Sequence, residues 1–229
     1  MSKIFCVGDI HGCPATLYKL ITEEIRLQKN DKLIFVGDYI DRGPDSKGVI
    51  DIILDLYNKN YDVTCLMGNH EEMFIESDTD DEIYEHWLTN CGGKFTLQSL
   101  NITTYDELHD TYKYFFKTLL HYKTLNNKYI IVHAGLNFRN IDLFEDKYAL
   151  LWERNTQINH EVLQNRKIIH GHTPQLLDKT IEQLNLISEH KIINIDNGCV
   201  FKEKIGLGIL TALELTEMKL HSTENVEQN

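Results

Sequence analysis

The chain has 229 residues, of which 42% are hydrophobic and 25% charged. This composition is typical of a globular protein with one substantial core, and it excludes a disordered or fibrous chain. The formal net charge is −12, from 35 acidic and 23 basic residues. Because binding to nucleic-acid backbones relies on clustered lysine and arginine, this balance argues against a nucleic-acid partner.

Other global features concern location and redox state. No apolar run approaches the roughly 20 residues that a membrane-spanning helix needs. The strand pattern starts at Ile4, and no signal-peptide pattern precedes it. The five cysteines are odd in number and show no C-x-x-C spacing, which predicts reduced thiols. We therefore expect a cytoplasmic protein without membrane association, and a monomer is the default.

Strand and helix patterns alternate over the first 70 residues. Apolar runs at residues 4–7, 33–36 and 63–67 predict buried strands. Apolar residues at helical spacing predict one helix over residues 15–28 and another that begins at Pro44. This alternation is typical of parallel βαβ units and predicts an α/β fold.

The pattern changes between Glu71 and about Tyr122. This stretch is acidic at first, aromatic later and mostly helical in period, and we interpret it as a helical insertion whose acidic run is a solvated face. Strand patterns return at residues 129–132, 167–169 and 192–195, and residues 207–220 resemble an edge strand or hairpin. We predict a single domain with two sheets over residues 1–220, followed by a polar, frayed tail over residues 221–229.

Aspartate, histidine and asparagine side chains follow directly after most of the predicted strands. Open α/β sheets bind their ligands at the carboxyl ends of strands, so we expect these side chains to converge. Mixed oxygen and nitrogen donors suit Mn, Fe or Zn better than the oxygen cages of Ca and Mg. The segments are Gly8-Asp9-x-His11-Gly12, Gly37-Asp38-x-x-Asp41-Arg42-Gly43, Gly68-Asn69-His70-Glu71, His133-Ala134-Gly135 and Gly171-His172-Thr173.

Each of these segments alone is a weak signal, because a single Asp-x-His is usually a solvated turn. About thirteen fixed letters in three ordered blocks do not arise by chance. Together the segments resemble the calcineurin-like metallophosphoesterases, and more narrowly the phosphoprotein phosphatase family in its compact bacterial and bacteriophage-lambda form. The resemblance extends from Ile4 to about Val200. It implies a four-layer αββα sandwich.

The resemblance also implies two divalent metal ions, with Mn expected and Fe, Zn or Mg as alternatives. The implied ligands are Asp9, His11 and Asp38 for the first ion, and Asp38, Asn69, His133 and His172 for the second. The Asp38 carboxylate would bridge both ions. Two such ions roughly 3.5–4 Å apart share a water, lower its pKa and provide a hydroxide that attacks phosphorus in line.

Two further residues are implied to handle the leaving-group proton. In the family, the histidine at the position of His70 protonates the leaving alkoxide. The acid at the position of Asp41 orients this histidine and holds the imidazolium. The alternative for His70 is a histidine at a helix start that faces water.

Two arginines are implied to bind the substrate phosphate, because a planar guanidinium pairs with two oxygens at once. Arg42 matches by its motif position. Arg154 follows Trp152 by two residues, as in the compact phosphatases. The alternative for Arg154 is a surface residue paired with Glu153 or another acid.

These features predict a metal-dependent phosphomonoesterase. The specific prediction is a serine/threonine protein phosphatase, with phosphotyrosine as a further substrate. The partner would be a phosphoprotein or a phosphorylated small molecule. One alternative is a dinucleoside polyphosphate hydrolase of the diadenosine tetraphosphate type. The acid at Asp41 favours a phosphatase over the symmetrically cleaving hydrolases, whereas asymmetric cleavers can keep the Asp-Arg pair. The other is an inactive phosphopeptide-binding scaffold, against which the presence of all six ligand positions argues.

Overall fold

The computed structural model describes residues 2–228, and its first third is a parallel βαβαβ unit. The elements in order are β1 (Ile4–Val7), α1 (Pro14–Lys19), a π-helical turn (Leu20–Glu24), β2 (Lys32–Phe35), α2 (Ser46–Asn58) and β3 (Asp62–Cys65). The second helix begins after the predicted Pro44, because the Asp45 side chain accepts a hydrogen bond from Gly48 N–H and caps the helix.

A helical region follows β3, in the stretch where the sequence predicts an insertion. It contains α3 (Asn69–Glu76), α4 (Asp81–His86), a π-helical turn (Trp87–Cys91), α5 (Gly93–Leu100), a 3-10 turn (Tyr105–Glu107) and α6 (Asp110–Lys117). The helices end at Lys117, and Tyr122 already belongs to a strand that the sequence analysis did not predict.

The second half of the chain builds the remaining strands and their helices. These are β4 (Tyr122–Leu125), β5 (Tyr129–Val132), α7 (Lys147–Trp152), α8 (His160–Leu163), β6 (Lys167–His170), α9 (Leu177–Asn185), α10 (Ile187–His190), β7 (Ile192–Asn194), β8 (Asp196–Asn197), β9 (Ile209–Glu214) and β10 (Lys219–Glu224). One sheet has the order β10-β9-β1-β2-β3, with β8 paired to β9, and the other has the order β4-β5-β6-β7.

The two sheets pack face to face, and helices cover the outer faces. Alternate side chains of a strand point to opposite faces, so Phe5 and Val7 of β1 pack among the helices while Cys6 packs against the second sheet. In β5, Ile131 lies in the core between the sheets and Ile130 faces the outer helices. The predicted four-layer αββα sandwich is confirmed.

The predicted frayed tail is wrong, since strand β10 extends to Glu224 and pairs antiparallel with β9. The Glu227 carboxylate then accepts hydrogen bonds from the N–H and the hydroxyl of Thr16, at 2.8 and 3.0 Å. The Asn225 side chain donates to the carbonyl of Cys199. The tail is polar because its side chains bond to polar groups of the fold.

Within residues 2–228, no helix has the length and apolarity to cross a membrane.

Candidate metal centre

The six predicted ligand positions lie together at the carboxyl ends of the parallel strands. Strands β1, β2 and β3 run parallel in one sheet, and β5 and β6 run parallel in the other, so the loops that follow them meet at one edge of the sandwich. All six side chains are buried, and they are Asp9, His11, Asp38, Asn69, His133 and His172.

Asp38 lies between two groups of possible metal ligands. His11 Nε2 is 3.4 Å from one carboxylate oxygen of Asp38, and His133 Nε2 is 3.5 Å from the other. The ligand atoms of His11, Asp38 and His70 lie within 4.8 Å of one another, as do those of Asp38, His133 and His172. The first group therefore contains His70, where the family resemblance implied Asp9.

Asp9 and Asn69 contribute further oxygen atoms to the centre. The Oδ2 atom of Asp9 accepts the backbone N–H of His172 at 2.9 Å, whereas its buried Oδ1 has no hydrogen-bond partner within residues 2–228. Asn69 Oδ1 lies 3.0 Å from His133 Nε2 and 2.9 Å from His172 Nδ1. The buried His172 Nε2 also lacks a partner among these residues. Unpaired buried acceptors are costly, and they are typical of a ligand site.

The hydrogen bonds of two histidines show that the centre fits a cation. His133 Nδ1 lies 3.1 Å from the Val36 carbonyl, and His11 Nδ1 lies 2.8 Å from the Ile40 carbonyl. Each Nδ1 must carry the proton, so the lone pair of each neutral ring is on Nε2, close to the Asp38 carboxylate. The lone pair of His11 is contacted by the Arg42 guanidinium, whereas that of His133 lies close to oxygens of Asp38 and Asn69. A cation at this position would remove the repulsion between the lone pair and these oxygens. A backbone carbonyl bonded to the other ring nitrogen is the usual support of a metal-binding histidine.

Burial keeps these imidazoles neutral. It lowers the pKa of His11 well below the usual value and lowers that of His133, and it acts with the neighbouring His133 to lower the pKa of His172 to about 3. A neutral imidazole has a lone pair to give to a metal ion. At neutral pH the three rings are therefore available as ligands.

The two aspartates at the centre shift in opposite directions. Burial, with the charges of Asp196 and Asp38, raises the pKa of Asp9 well above its usual value. Burial alone would also raise the pKa of Asp38, but the electrostatic influence of His133, His70, His11 and Arg42 lowers it below the usual range. Asp38 is thus the carboxylate that is charged even without a cation.

The backbone around the centre is strained. The non-glycine residues His11, Asp38, Asp41, Arg42 and His172 have φ angles of 47°, 55°, 71°, 67° and 72°. Left-handed conformations are uncommon for residues with a Cβ, and they concentrate at functional sites where the surrounding structure enforces them. The turns at the strand ends are therefore shaped to present these side chains.

Glu71 is a supporting residue to which the sequence analysis gave no role. Its buried carboxylate accepts four backbone N–H groups, from Asp38, Tyr39, Ile40 and Gly68, at 2.8 to 3.2 Å. It thereby holds the turn that carries Asp38. Its place beside His70 in the third segment is the one sequence signal that could have indicated this role.

His70 and Asp41 form a buried pair beside the centre. His70 Nδ1 lies 2.6 Å from Asp41 Oδ2, and the His70 ring packs edge-on against His11 with ring centroids 4.7 Å apart. Although His70 is in the first turn of α3, it is only 1% exposed and does not face water. His70 therefore lies close enough to His11 and Asp38 to act at the centre.

The two predicted phosphate-binding arginines differ in their contacts with the centre. Arg42 Nη1 contacts His11 Nε2, and its guanidinium lies 5.6 Å from the ring centroid of Phe201. Arg154 is exposed and lies beyond the end of α7, where its charge helps to lower the pKa of His172. Within residues 2–228, Arg154 forms no ion pair.

A groove opens beside the centre, between α3, α4 and α7. Its volume is about 480 Å³, and it is lined by Glu72, Met73, Glu76, Glu82, Ile83, His86, Tyr148 and Trp152. Trp152 connects the groove to the metal centre. Its ring packs edge-on against His172, with ring centroids 6.2 Å apart, and its Nε1 donates a hydrogen bond to Glu72 in the groove. The groove has an apolar floor and an acidic rim.

A β-sandwich with buried Asp, Asn and His side chains at its strand ends is the architecture of a metal-dependent hydrolase. The chain belongs to the calcineurin-like phosphoesterase family, whose sequence profile matches residues 2–193. The protein is therefore a phosphoester hydrolase of the metallophosphoesterase class, with a metal-binding site.

Similar proteins carry two different activity names. The chain is 28% identical to serine/threonine-protein phosphatase 1 of Salmonella typhimurium, over 89% of this chain and 90% of that protein. It is 26% identical to the asymmetrical bis(5'-nucleosyl)-tetraphosphatase PrpE of Oceanobacillus iheyensis, over 89% and 86%. A serine/threonine phosphatase structure from Saccharomyces cerevisiae shares the fold, with a TM-score of 0.61, 18% identity and coverage of 100% and 81%.

Proposed function

We propose that the protein is a phosphoprotein phosphatase that hydrolyses phosphoserine and phosphothreonine esters with two divalent ions. The observation that carries this proposal is the position of Asp38, whose two carboxylate oxygens each face the lone pair of a neutral imidazole, His11 on one side and His133 on the other. Two cation positions that share one carboxylate are the arrangement used for in-line attack on phosphorus.

The residues that would hold the ions are those that the family resemblance implies. Asp9, His11 and Asp38 would hold the first ion, and Asp38, Asn69, His133 and His172 the second. The clusters His11-Asp38-His70 and Asp38-His133-His172 support this set, and the buried Oδ1 of Asp9 adds a further oxygen donor. When bound, such ions lower the pKa of water and neutralise phosphoryl oxygens. Because nitrogen and oxygen donors are mixed, we expect Mn, with Fe, Zn or Mg as alternatives.

Arg42, which contacts His11, and Arg154, whose charge acts on His172, would bind the substrate phosphate. A guanidinium makes two parallel hydrogen bonds to phosphate oxygens, which fixes the orientation of the group as well as its position. The contact of Arg42 with His11 and the absence of an ion pair to Arg154 within residues 2–228 support this role. The phosphorus would thereby face the Asp38 carboxylate.

His70 would donate the proton that the leaving oxygen needs. With its Nδ1 bonded to Asp41, the Nε2 atom faces the centre and can protonate a serine or threonine alkoxide as the P–O bond breaks. The bond to Asp41 would fix the orientation of the ring during this transfer. An alkoxide is a poor leaving group, so this proton matters most for phosphoserine and phosphothreonine.

The adjacent groove supports a protein substrate. The rim carboxylates of Glu72, Glu76 and Glu82 form no ion pairs within the described residues, and the floor is apolar. This combination suits a peptide segment with basic and apolar side chains. It repels a long polyphosphate chain.

A dinucleoside polyphosphate hydrolase is the second candidate, and its support is the 26% identity to the tetraphosphatase named above. Both activities need the same metal centre, so the metal ligands do not separate them. The charge of the groove rim favours the phosphatase.

A comparison of two substrates with the metal-loaded protein tests the proposal. We expect kcat/KM to be at least tenfold higher for a phosphoserine peptide with flanking lysines than for diadenosine tetraphosphate. The reverse ratio would establish the second candidate. Loss of both activities in Asp38→Asn, with the fold retained, is expected. If the Mn-loaded wild type binds phosphopeptide without turnover, the protein is a scaffold and the proposal is wrong.

A further inference from the structure

The helical region supplies two buried donors to the carboxylate of Asp41. Trp87 Nε1 lies 2.7 Å from Asp41 Oδ2, the same oxygen that His70 contacts, and Thr96 Oγ1 lies 2.6 Å from Asp41 Oδ1. Asp41, Trp87 and Thr96 are fully buried, and His70 is 1% exposed. Water therefore does not compete for these bonds.

The direction of each hydrogen bond is determined by chemistry. An indole N–H can only donate, so Trp87 donates to the carboxylate. Thr96 Oγ1 accepts the backbone N–H of Asp41 at 2.9 Å, and its own proton then points to Asp41 Oδ1. The Ser46 hydroxyl lies 2.9 Å from Thr96 Oγ1 and completes the network as a donor. Trp87, Thr96 and His70 therefore donate to the carboxylate, and no acceptor among residues 2–228 bonds to it.

Trp87 is itself held rigidly. Its ring stacks on Phe74 of α3, the helix that carries His70, with centroids 5.0 Å apart and planes 23° apart. A Cβ at Gly93 would lie 2.4 Å from the indole ring, and a Cβ at Gly92 would lie 2.6 Å from the backbone nitrogen of Arg42. Only glycine permits these approaches. The helical region is thus fitted closely against the Asp41-Arg42 turn.

The consequence concerns the orientation of His70. The carboxylate of Asp41 could rotate about its χ2 bond if His70 were its sole partner. Trp87 and Thr96 fix one oxygen each, so Oδ2 stays in line with His70 Nδ1. The imidazole is then held in the tautomer and rotamer that direct Nε2 to the centre.

We propose that Trp87 and Thr96 are positioning residues for proton donation by His70, acting through Asp41, and that this is a role of the helical region. The inference rests on the proposed function, because it assigns these residues to the leaving-group step of that reaction. Neither residue touches the reacting atoms. Their effect should therefore depend on how strongly the leaving group needs a proton.

Kinetics of the Mn-loaded enzyme with two substrates test this dependence. We expect Trp87→Phe and Thr96→Val to lower kcat for a phosphoserine peptide about tenfold at unchanged KM. For 4-nitrophenyl phosphate, whose leaving group needs no proton, kcat should change by less than about twofold. Thr180→Val removes an equally buried hydroxyl away from Asp41 and should change neither. Equal losses on both substrates would overturn the inference.

A double-mutant cycle separates positioning from structural damage. In a His70→Asn background, Trp87→Phe should have no further effect on the phosphoserine peptide, because the group it positions is gone. A further tenfold loss would overturn the inference. Thr96→Val in the same background gives a second test if Trp87→Phe does not fold.

A spectroscopic measurement tests the positioning of His70 without any turnover. It therefore separates failure of this inference from failure of the proposed function, which absence of phosphomonoesterase activity in the wild type would refute. In Zn-loaded protein, the NMR signal of the His70 Nδ1 proton should be shifted downfield by its bond to Asp41. We expect this signal to move or disappear in Trp87→Phe and to stay in Thr180→Val. An unchanged signal in Trp87→Phe would overturn the inference.

Discussion

The buried carboxylate of Glu71 accepts a hydrogen bond from the backbone N–H of Asp38, 2.9 Å away. Its four amide donors lie in the turn after β2 and in the turn before α3, so one side chain fixes both loops to each other. Burial raises the pKa of Glu71 to about 8, and the amide donors oppose that rise. Asp38 therefore has its position set by Glu71 before any cation binds.

We predict that Glu71→Gln destabilises the protein by about 2 kcal/mol, because the amide –NH2 would face backbone N–H donors in a site closed to water. Glu107→Gln is the matched control, since the exposed Glu107 also accepts a backbone N–H, from Thr103, and its effect on stability should be much smaller because water replaces the lost bond. Urea denaturation of the metal-free variants measures both. Equal effects of the two substitutions would show that the amide cluster at Glu71 is not structural.

Removal of metal should lower the thermal stability. The facing lone pairs of His11, His133 and Asp38 repel one another unless a cation separates them. We predict that Mn at 100 times its dissociation constant stabilises the chelator-treated protein by about 3 kcal/mol per site. Differential scanning calorimetry of wild type and Asp38→Asn tests this, and an equal shift in the two proteins would place the metal elsewhere.

Metal binding should release protons. Because the pKa of Asp9 is raised well above its usual value, this carboxyl keeps its proton to a higher pH in the metal-free protein, and a bound cation competes with that proton. The apparent metal affinity should therefore increase with pH until Asp9 ionises without metal. Burial also raises the pKa of the neighbouring Asp196 to about 7, so a contribution from Asp196 between about pH 6 and pH 8 has to be separated from that of Asp9.

Calorimetric titrations with Mn in two buffers of different ionisation enthalpy measure this proton release. Wild type should release more protons at about pH 6 than Asp9→Asn, whose side chain has no proton to lose. If Asp9→Asn releases as many protons as wild type when Mn binds, Asp9 is not the titrating group.

The acidic rim of the groove should set the preference for flanking residues. We predict that Glu76→Lys with Glu82→Lys lowers kcat/KM about tenfold for a phosphopeptide with flanking lysines and raises it for one with flanking glutamates. Turnover of 4-nitrophenyl phosphate should not change, because this substrate does not reach the groove. Asp110→Lys, on the first turn of α6, is a charge control. Unaltered peptide preference would exclude the groove from substrate binding.

The strands and the convergence of the site residues could be predicted because local signals were strong. β1 and β5 lie where their apolar runs predicted them, since strands buried on both faces have no polar interruption. β4 was not predicted, because Tyr122 to Leu125 alternate between exposed and half-buried positions at a sheet edge. The tail was misjudged because its contacts are with residues about 210 positions away, such as Thr16.

The support of the centre could not be predicted from the sequence. Trp87 and Thr96 are separated from Asp41 by 46 and 55 positions in the sequence. A tryptophan in a helical stretch also does not indicate which polar group its N–H will contact. The role of Glu71 depends on backbone N–H groups, which leave no trace in side-chain patterns. Donors and acceptors of the main chain become visible only when the fold is known.

The position of the metal ions is the most direct test of the account. Crystals of the protein soaked in MnCl₂ should show two anomalous difference peaks, roughly 3.5–4 Å apart, with the Asp38 carboxylate between them. Asp9 and His11 should contact one peak, and Asn69, His133 and His172 the other. A single peak, or peaks that do not contact Asp38, would contradict the proposal that one aspartate joins two ions.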